Sequence, residues 1–263
     1  MVNTLNLLQK TMLMGVADGC VTNLVPANIP LRHPLLILIL SQLGDFDSLE
    51  YAWWLQKDRA LVADLNVVAV GIGDRAAGQK FCDYTGFNPE KLFIDPTATL
   101  HQKLGLYSGL QWNFPGLKAG QQAWVNLMLM CAGIASPGTL KEVLRGYTGD
   151  KNAPQLFGDE ETIKAPPLPE LKGKFFETAG GKGFQRPLEL ATLRLRNMGE
   201  VLGNWSTYVP DASYMTQRGG TFLFDTDGEL LYEHRDRGIL GFAENMSRPL
   251  SFLGDIKFKS STT

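Results

Sequence analysis

The sequence has few cysteines: Cys20, Cys82 and Cys131 are the three in 263 residues. Because they are widely separated, they cannot form a disulfide framework, and none belongs to a C-x-x-C pair. This pattern favours a reducing compartment.

Signals for metal, nucleic acid and membrane are also missing. His33, His101 and His234 are scattered and lack the spacing of metal ligands. The 25 basic and 27 acidic residues are mixed along the chain, and the net charge of −2 excludes the basic stripe that nucleic acid requires. The longest aliphatic run, residues 35–40, is far shorter than the roughly 20 residues that span a bilayer, and the N-terminus lacks a secretion signal. We therefore expect no transmembrane segment, no nucleic-acid partner, no metal and no cofactor.

The chain does contain alternating strand and helix patterns. Continuous apolar runs at 35–40 and 66–72 predict strands that are buried on both faces of a sheet. Apolar residues at helical spacing predict a long helix over about 49–65, and further β and α patterns continue to about residue 104. The order βαβαβα predicts an α/β sheet with helices on its faces.

The second half of the chain predicts a hairpin and an insertion. The turn residues 225–228 lie between two apolar segments and predict a β-hairpin, which a final helix over about 242–253 would cover. Residues 107–185 contain much of the Pro and Gly and predict a mainly helical and irregular insertion. We expect a single domain over 1–263, with an N-terminal extension at 1–33 and this insertion.

Two groups of motifs carry a family resemblance. The first is Lys80-Phe-Cys-Asp-Tyr-Thr-Gly-Phe87, followed by Leu92-Phe-Ile-Asp-Pro96 and Lys103-Leu-Gly-Leu106. The second is Gln217-Arg-Gly-Gly-Thr221, followed by Tyr232-Glu-His-Arg-Asp236. Together they resemble the peroxiredoxin-like AhpC/TSA family, whose members carry F-C-x-x-T-G, D-P-x-x-x-x-Y-x-x-L-G, and Q-G-G-T followed by H-R-D. The resemblance implies a thioredoxin-like fold and leaves the insertion unexplained.

The redox-active members of that family place a C-x-x-C where the central strand meets its helix. There the helix N-terminus stabilises a thiolate. Alignment on Glu50-Tyr51 places the two thiol positions at Asp45 and Ser48. Neither residue is a thiol nucleophile, but Asp45 can cap the helix. The resemblance therefore implies the fold without the usual chemistry, and we expect that the chain is not an enzyme.

Two other chemistries stay open. Cys82 lies in a motif in which the family also carries a cysteine, so it is either an inert packing residue or the nucleophile of a one-cysteine thiol peroxidase. The segment Gly71-Ile72-Gly73 follows a strand and precedes a helix, as a dinucleotide-binding turn does. However, Asp74 would place a negative charge where a pyrophosphate should bind.

Binding candidates lie in two places. The hairpin edge shares a sheet edge with the thiol position in the resembling family, and its Arg235 could hold an anionic group or a partner. An apolar helix in the insertion offers a surface for another protein. The candidates are Gln217, Gly219, Gly220, Thr221, His234 and Arg235 at the hairpin edge, and Trp124 and Met128 in the insertion.

These observations predict a peroxiredoxin-like protein that acts as a non-catalytic binding or regulatory module. The chain is similar to long, cysteine-poor cyanobacterial and plastid members of the family. That similarity implies a photosynthetic cell, a cytoplasmic or plastid stroma-like location, and a partner protein in a thylakoid-associated complex.

Overall fold

The computed structural model describes residues 4–25 and 31–256, and its centre is a mixed sheet of seven strands. Seven strands form this sheet and two more form a separate pair. In chain order, the described residues form β1 (Met12–Gly15), β2 (Val21–Asn23), β3 (Leu35–Gln42), β4 (Asn66–Ile72), β5 (Leu92–Ile94), β6 (Thr162–Ile163), β7 (Leu171–Lys172), β8 (Gly220–Phe224) and β9 (Leu230–Arg235). The order in the main sheet is β2-β1-β5-β4-β3-β8-β9, and β6 pairs with β7 separately. Strands β3, β4 and β5 are parallel, whereas the pairs β3–β8 and β8–β9 are antiparallel.

Helices cover both faces of the sheet. They are α1 (Thr4–Gln9), α2 (Phe46–Lys57), α3 (Arg75–Thr85), α4 (Thr99–Lys103), α5 (Ala119–Cys131), α6 (Thr139–Thr148), α7 (Glu177–Gly180), α8 (Glu189–Gly203), α9 (Trp205–Tyr208) and α10 (Phe252–Asp255). Side chains of β3 alternate between two hydrophobic cores: Leu36 and Leu38 pack in one, and Ile37 and Ile39 in the other. Because both faces are apolar, the strand appears in the sequence as a continuous aliphatic run. The α/β class predicted from the sequence is confirmed.

Two predicted helices are shorter in the structure. The helix expected over 49–65 is α2, which ends at Lys57 and is followed by a 3₁₀ turn over Arg59–Val62. The prediction of a final helix over 242–253 was wrong: the structure forms only the short α10 there, which begins at Phe252. Pro249 has no N–H and disfavours helix in the residue before it. The Asn245 side chain also accepts hydrogen bonds from backbone N–H groups two and three residues later, which fixes a turn.

The N-terminal segment and the insertion pack on the central sheet and its helices. Strand β1 pairs antiparallel with β5, so the N-terminal segment extends the sheet. Directly after the insertion, the buried side chain of Arg186 pairs with Glu189 of α8 at 2.6 Å and donates to the backbone oxygen of Phe157, within the insertion, at 2.9 Å. The backbone oxygen of Tyr107, at the start of the insertion, accepts a hydrogen bond from the N–H of Arg218. Both ends of the insertion are therefore fixed to the domain.

Candidate functional site

Asp45 lies at the N-terminus of α2, directly after the central strand. Its backbone is extended, with φ −78° and ψ 140°, and its Oδ1 accepts a hydrogen bond of 3.0 Å from the N–H of Asp47. A carboxylate here satisfies a free donor of the first turn and interacts favourably with the positive end of the helix dipole. Asp45 therefore acts as the N-cap of α2, at the position that the sequence alignment predicts for the first thiol of the resembling enzymes.

Arg218 supplies a buried counter-charge to this cap. Its side chain is 1% exposed, and Nη2 lies 2.6 Å from Oδ2 of Asp45. The guanidinium also donates to the backbone oxygens of Thr216, at 3.0 Å, and Met215, at 2.8 Å. Burial opposes the charge of Arg218, but the neighbouring carboxylates outweigh burial and raise its pKa. Arg218 thus links the N-terminus of α2 to the segment that leads into β8.

Asp47 is the second carboxylate of the cluster. Its Oδ2 lies 3.5 Å from Nη1 of Arg218, and both of its oxygens accept the N–H of Leu240, at 2.9 and 2.8 Å. Burial, reinforced by the charge of Asp45, raises the pKa of Asp47 well above its usual value despite the attraction of Arg218. The side chain of Asp47 therefore binds a proton more readily than an exposed aspartate does.

Asp236 completes the cluster from the end of β9. Its Oδ2 accepts the N–H of Gly219 at 3.1 Å, and its Oδ1 lies 3.6 Å from Nε2 of His234. Burial raises the pKa of Asp236 to about 7, although Arg218 and the Gly219 N–H favour its charged form. We name Asp45, Asp47, Asp236 and Arg218 the acid–arginine cluster. One guanidinium faces three carboxyl groups there, so the cluster can take up and release a proton near neutral pH.

Ser48, which the alignment predicts at the second thiol position, belongs to one of two neighbouring hydroxyl pairs. Its Oγ lies 3.0 Å from that of Ser41, and the hydroxyl of Tyr51 lies 3.0 Å from that of Thr221. These four side chains, with Asp47 and Asp236, line a small cavity of about 10 Å³. That volume is close to the minimum for one water molecule, so these side chains leave little free space beside Ser48.

The hairpin-edge candidates lie close to this cluster, and most are engaged within the chain. The side chain of Gln217 donates to the backbone oxygens of Tyr107 and Arg218. At Gly219, a Cβ atom would lie 2.1 Å from the backbone oxygen of Ile39, so only glycine allows this approach of the chain to β3.

The remaining hairpin candidates face different neighbours. At Gly220, an added Cβ would lie 2.9 Å from the backbone oxygen of His234. The ring of His234 lies 2.8 Å from the backbone oxygen of Gly241. Arg235 pairs with Glu233 and donates to the backbone oxygen of Leu104, at the C-terminus of α4. Its guanidinium carbon lies 5.7 Å from the centroid of the Phe222 ring. Its guanidinium therefore already has partners.

The insertion candidates lie apart from the acid–arginine cluster. Trp124 stacks on Trp205, with ring centroids 5.1 Å apart, and Met128 is exposed on the same helix. Met130 and Asn126 are on the buried side of α5, where the amide of Asn126 bonds the backbone of Trp112. Helix α5 thus uses one side for packing and leaves a part of its apolar surface exposed.

The cysteines occupy three different environments. Cys82 lies on α3 and packs in the hydrophobic core, and burial raises the pKa of its thiol to about 12. Cys131 lies at the C-terminus of α5, where burial and the charge of Asp45 raise its pKa to about 11. Cys20 is exposed in the turn before β2. Cys131 lies near the acid–arginine cluster, a proximity that its place in an apolar helix does not predict.

The glycine-rich turn after β4 is closed by local packing. A Cβ at Gly71 would lie 2.3 Å from the side chain of Leu43, and the carboxylate of Asp74 caps α3 by accepting the N–H of Ala77 at 2.8 Å. The helix end that a pyrophosphate would need is therefore occupied by a carboxylate. These contacts favour a structural role for Gly71-Ile72-Gly73.

Arg218 is the member of the cluster that the sequence analysis missed. One signal was present: the chain has Gln217-Arg-Gly-Gly-Thr221 where the family pattern has Q-G-G-T, so an arginine is inserted between the glutamine and the glycines. An additional charged residue beside a segment that meets the central strand is a reason to search for a buried partner.

Within the described part of the chain, no helix is both long and apolar enough to span a membrane, and no group of three or more metal-ligating side chains is suitably placed. No curated protein and no solved structure matches the sequence. Residues 54–238, more than half of the chain, match the family described as AhpC/TSA antioxidant enzyme. The chain therefore belongs to the AhpC/TSA family and has its thioredoxin-like fold.

Proposed function

We propose that this AhpC/TSA protein is a non-catalytic binding or regulatory module. The observation that carries the proposal is the 2.6 Å ion pair between Asp45 and Arg218 at the N-terminus of α2. A peroxidase needs a thiolate at that position, stabilised by the helix end and accessible to peroxide. In this chain a carboxylate caps the helix and a buried guanidinium neutralises it, so the position serves structure.

The properties of the thiols support the same proposal. A thiol reacts with peroxide as its thiolate, and the pKa values of about 12 for Cys82 and about 11 for Cys131 keep both thiols protonated at neutral pH. The buried position of Cys82 also limits its access to peroxide. The alternative, a peroxidase that uses Cys82, therefore receives no support from its surroundings.

The setting we propose is a photosynthetic cell, with a cytoplasmic or stroma-like location and a protein partner in a thylakoid-associated complex. The similarity to long, cysteine-poor cyanobacterial and plastid members supports this setting. The exposed surface around Trp124 and Met128 is our candidate for contact with that partner.

Stopped-flow measurement of peroxide consumption with a thiol reductant tests the absence of catalysis. We expect the wild-type chain, C82S and the matched control C131S to consume peroxide no faster than buffer with reductant. Turnover by wild type that is abolished in C82S and kept in C131S would overturn the proposal.

A pull-down from photosynthetic cells tests the partner surface. Wild type is compared with W124A and with the control L61A. Leu61 is also an exposed hydrophobic residue, but it is distant in sequence from Trp124. We expect W124A to lose thylakoid proteins that wild type and L61A retain. Equal recovery by all three would refute this surface.

A further inference from the structure

A second cavity lies beside the acid–arginine cluster and is formed mainly by the insertion. Its volume is about 670 Å³, within the range of pockets that bind small molecules. Its walls come from α6, from α8 and from the segment 168–176, and its floor includes Phe46 and Leu240. Phe46 directly follows the helix cap Asp45, so the cavity reaches the N-terminus of α2.

The cavity combines buried lining residues with an exposed apolar rim. Phe176 and Leu240 are buried at its floor, whereas Phe175 is 51% exposed and Leu188 is 41% exposed. Apolar side chains in contact with water at the mouth of a concave site favour an occupant that would cover them.

The charge of the walls restricts the chemistry of that occupant. Among the described residues that line the cavity, Arg194 is the one with a charged side chain. Its Nε and Nη2 bind the carboxylate of Glu50, at 2.7 and 3.1 Å, and its Nη1 donates to the backbone oxygen of Glu142 at 2.9 Å. Because this guanidinium is already neutralised, a charged ligand would lose hydration without gaining a partner.

Backbone strain at the cavity is an independent observation. Leu188 and Leu240, two of the cavity residues, have φ values of 69° and 58°. Leucine is uncommon in this left-handed region, and such strain is often found at functional sites. Leu188 is exposed at the rim, whereas Leu240 is buried at the floor. Leu240 is also the residue whose N–H binds Asp47.

We propose that this cavity binds an uncharged, predominantly apolar small molecule. This assignment rests on the proposed binding function and names its ligand class. The molecule would enter between α6 and the segment 168–176, cover the exposed rim, and contact Phe46 and Leu240. The insertion would then be the part of the chain that builds the binding site.

Fluorescence titration with the uncharged probe N-phenyl-1-naphthylamine tests the proposal on the full chain. We expect saturable binding at one site, displaced by hexadecanol and much less by palmitate at pH 8. The blocking variant is V143W at the rim, and L144W is its matched control on the same helix, because Leu144 is exposed but does not line this cavity. We expect V143W to weaken probe binding by at least about tenfold, and L144W to leave it unchanged.

A second variant, A191F, fills the cavity from α8, with L202F as its control on an exposed part of that helix. Thermal unfolding shows that each variant is folded. Binding that is unsaturable, equal in V143W and L144W, or stronger for palmitate than for hexadecanol would overturn the proposal. Loss of probe binding as wild type dimerises would also overturn it, since a second copy would then cover the cavity. Peroxide consumption by the same samples would refute the non-catalytic function without affecting the probe result.

Discussion

The acid–arginine cluster makes a strong prediction for the variant R218M. Methionine has a similar length and no charge, so the variant leaves Asp45, Asp47 and Asp236 without the guanidinium that faces all three. These carboxyl side chains are 10%, 3% and 7% exposed, so water screens them little. Removal of one partner of a buried ion pair typically costs about 3–5 kcal/mol. We expect a loss of that size at pH 8.

The loss should depend on pH. Without Arg218, the already raised pKa values of Asp47 and Asp236 in the folded state rise further, and each unit of rise costs about 1.4 kcal/mol once the pH exceeds that pKa. A raised pKa in the folded state gives stability that is present at low pH and is lost as the pH rises. Proton uptake by the carboxyl groups at pH 5 should therefore recover a part of the loss seen at pH 8.

Urea unfolding followed by tryptophan fluorescence at pH 5 and pH 8 measures both effects. The control is R235M, because Arg235 is on the same hairpin edge but is 38% exposed and pairs with Glu233. We expect R235M to lose about 1 kcal/mol or less. A loss in R218M no greater than in R235M, or one that is equal at the two pH values, would refute the reasoning.

Three further predictions concern the same site. Because the pKa of Asp236 is raised from 3.8 to about 7, the wild-type fold loses stability as the pH rises between those values. In urea unfolding, the stability of D236N relative to wild type should therefore increase by roughly 2–3 kcal/mol from pH 5 to pH 8, and a constant difference would contradict this. In D45C, with the native cysteines replaced by serine, the helix end and Arg218 should lower the thiol pKa below about 8.5, measured by the pH dependence of alkylation; a value at or above that level would contradict it. G219A should lose about 1–3 kcal/mol, because its Cβ would lie 2.1 Å from a carbonyl oxygen of β3. G203A, where nothing lies within 4 Å, should lose none, and equal effects would refute the steric explanation.

Much of the fold could be predicted from the sequence because its signals are local. The run that forms β3 is apolar at every position, and this requires cover on both faces. The strand β4 has the bounds that the apolar run predicted, residues 66–72. The final helix was mispredicted because apolar spacing was given more weight than Pro249, whose missing N–H is equally local.

Only a part of the acid–arginine cluster could be predicted, because its charged residues are distant from one another in sequence. Asp45 could be located from the turn after the central strand, and its capping role follows from its residue type. Arg218 lies 173 positions further along the chain, and nothing local indicates that its side chain points to α2. The cavity was not predicted for the same reason: its walls belong to α6, α8 and the segment 168–176, which are separate in sequence and meet only in the folded chain.

The capping carboxylate of Asp45 is best understood together with Arg218. A helix N-terminus offers the equivalent of about half a positive charge, which suits a single thiolate or a single capping carboxylate. Asp47 and Asp236 bring further acidic groups to the same buried place, more than the helix dipole can stabilise. Arg218 provides the missing positive charge, and its bonds to the backbone before β8 also fix the chain that carries Gly219. The two residues therefore depend on each other: Arg218 without Asp45 would lack its closest carboxylate, and Asp45 without Arg218 would add an uncompensated charge to the buried end of the helix.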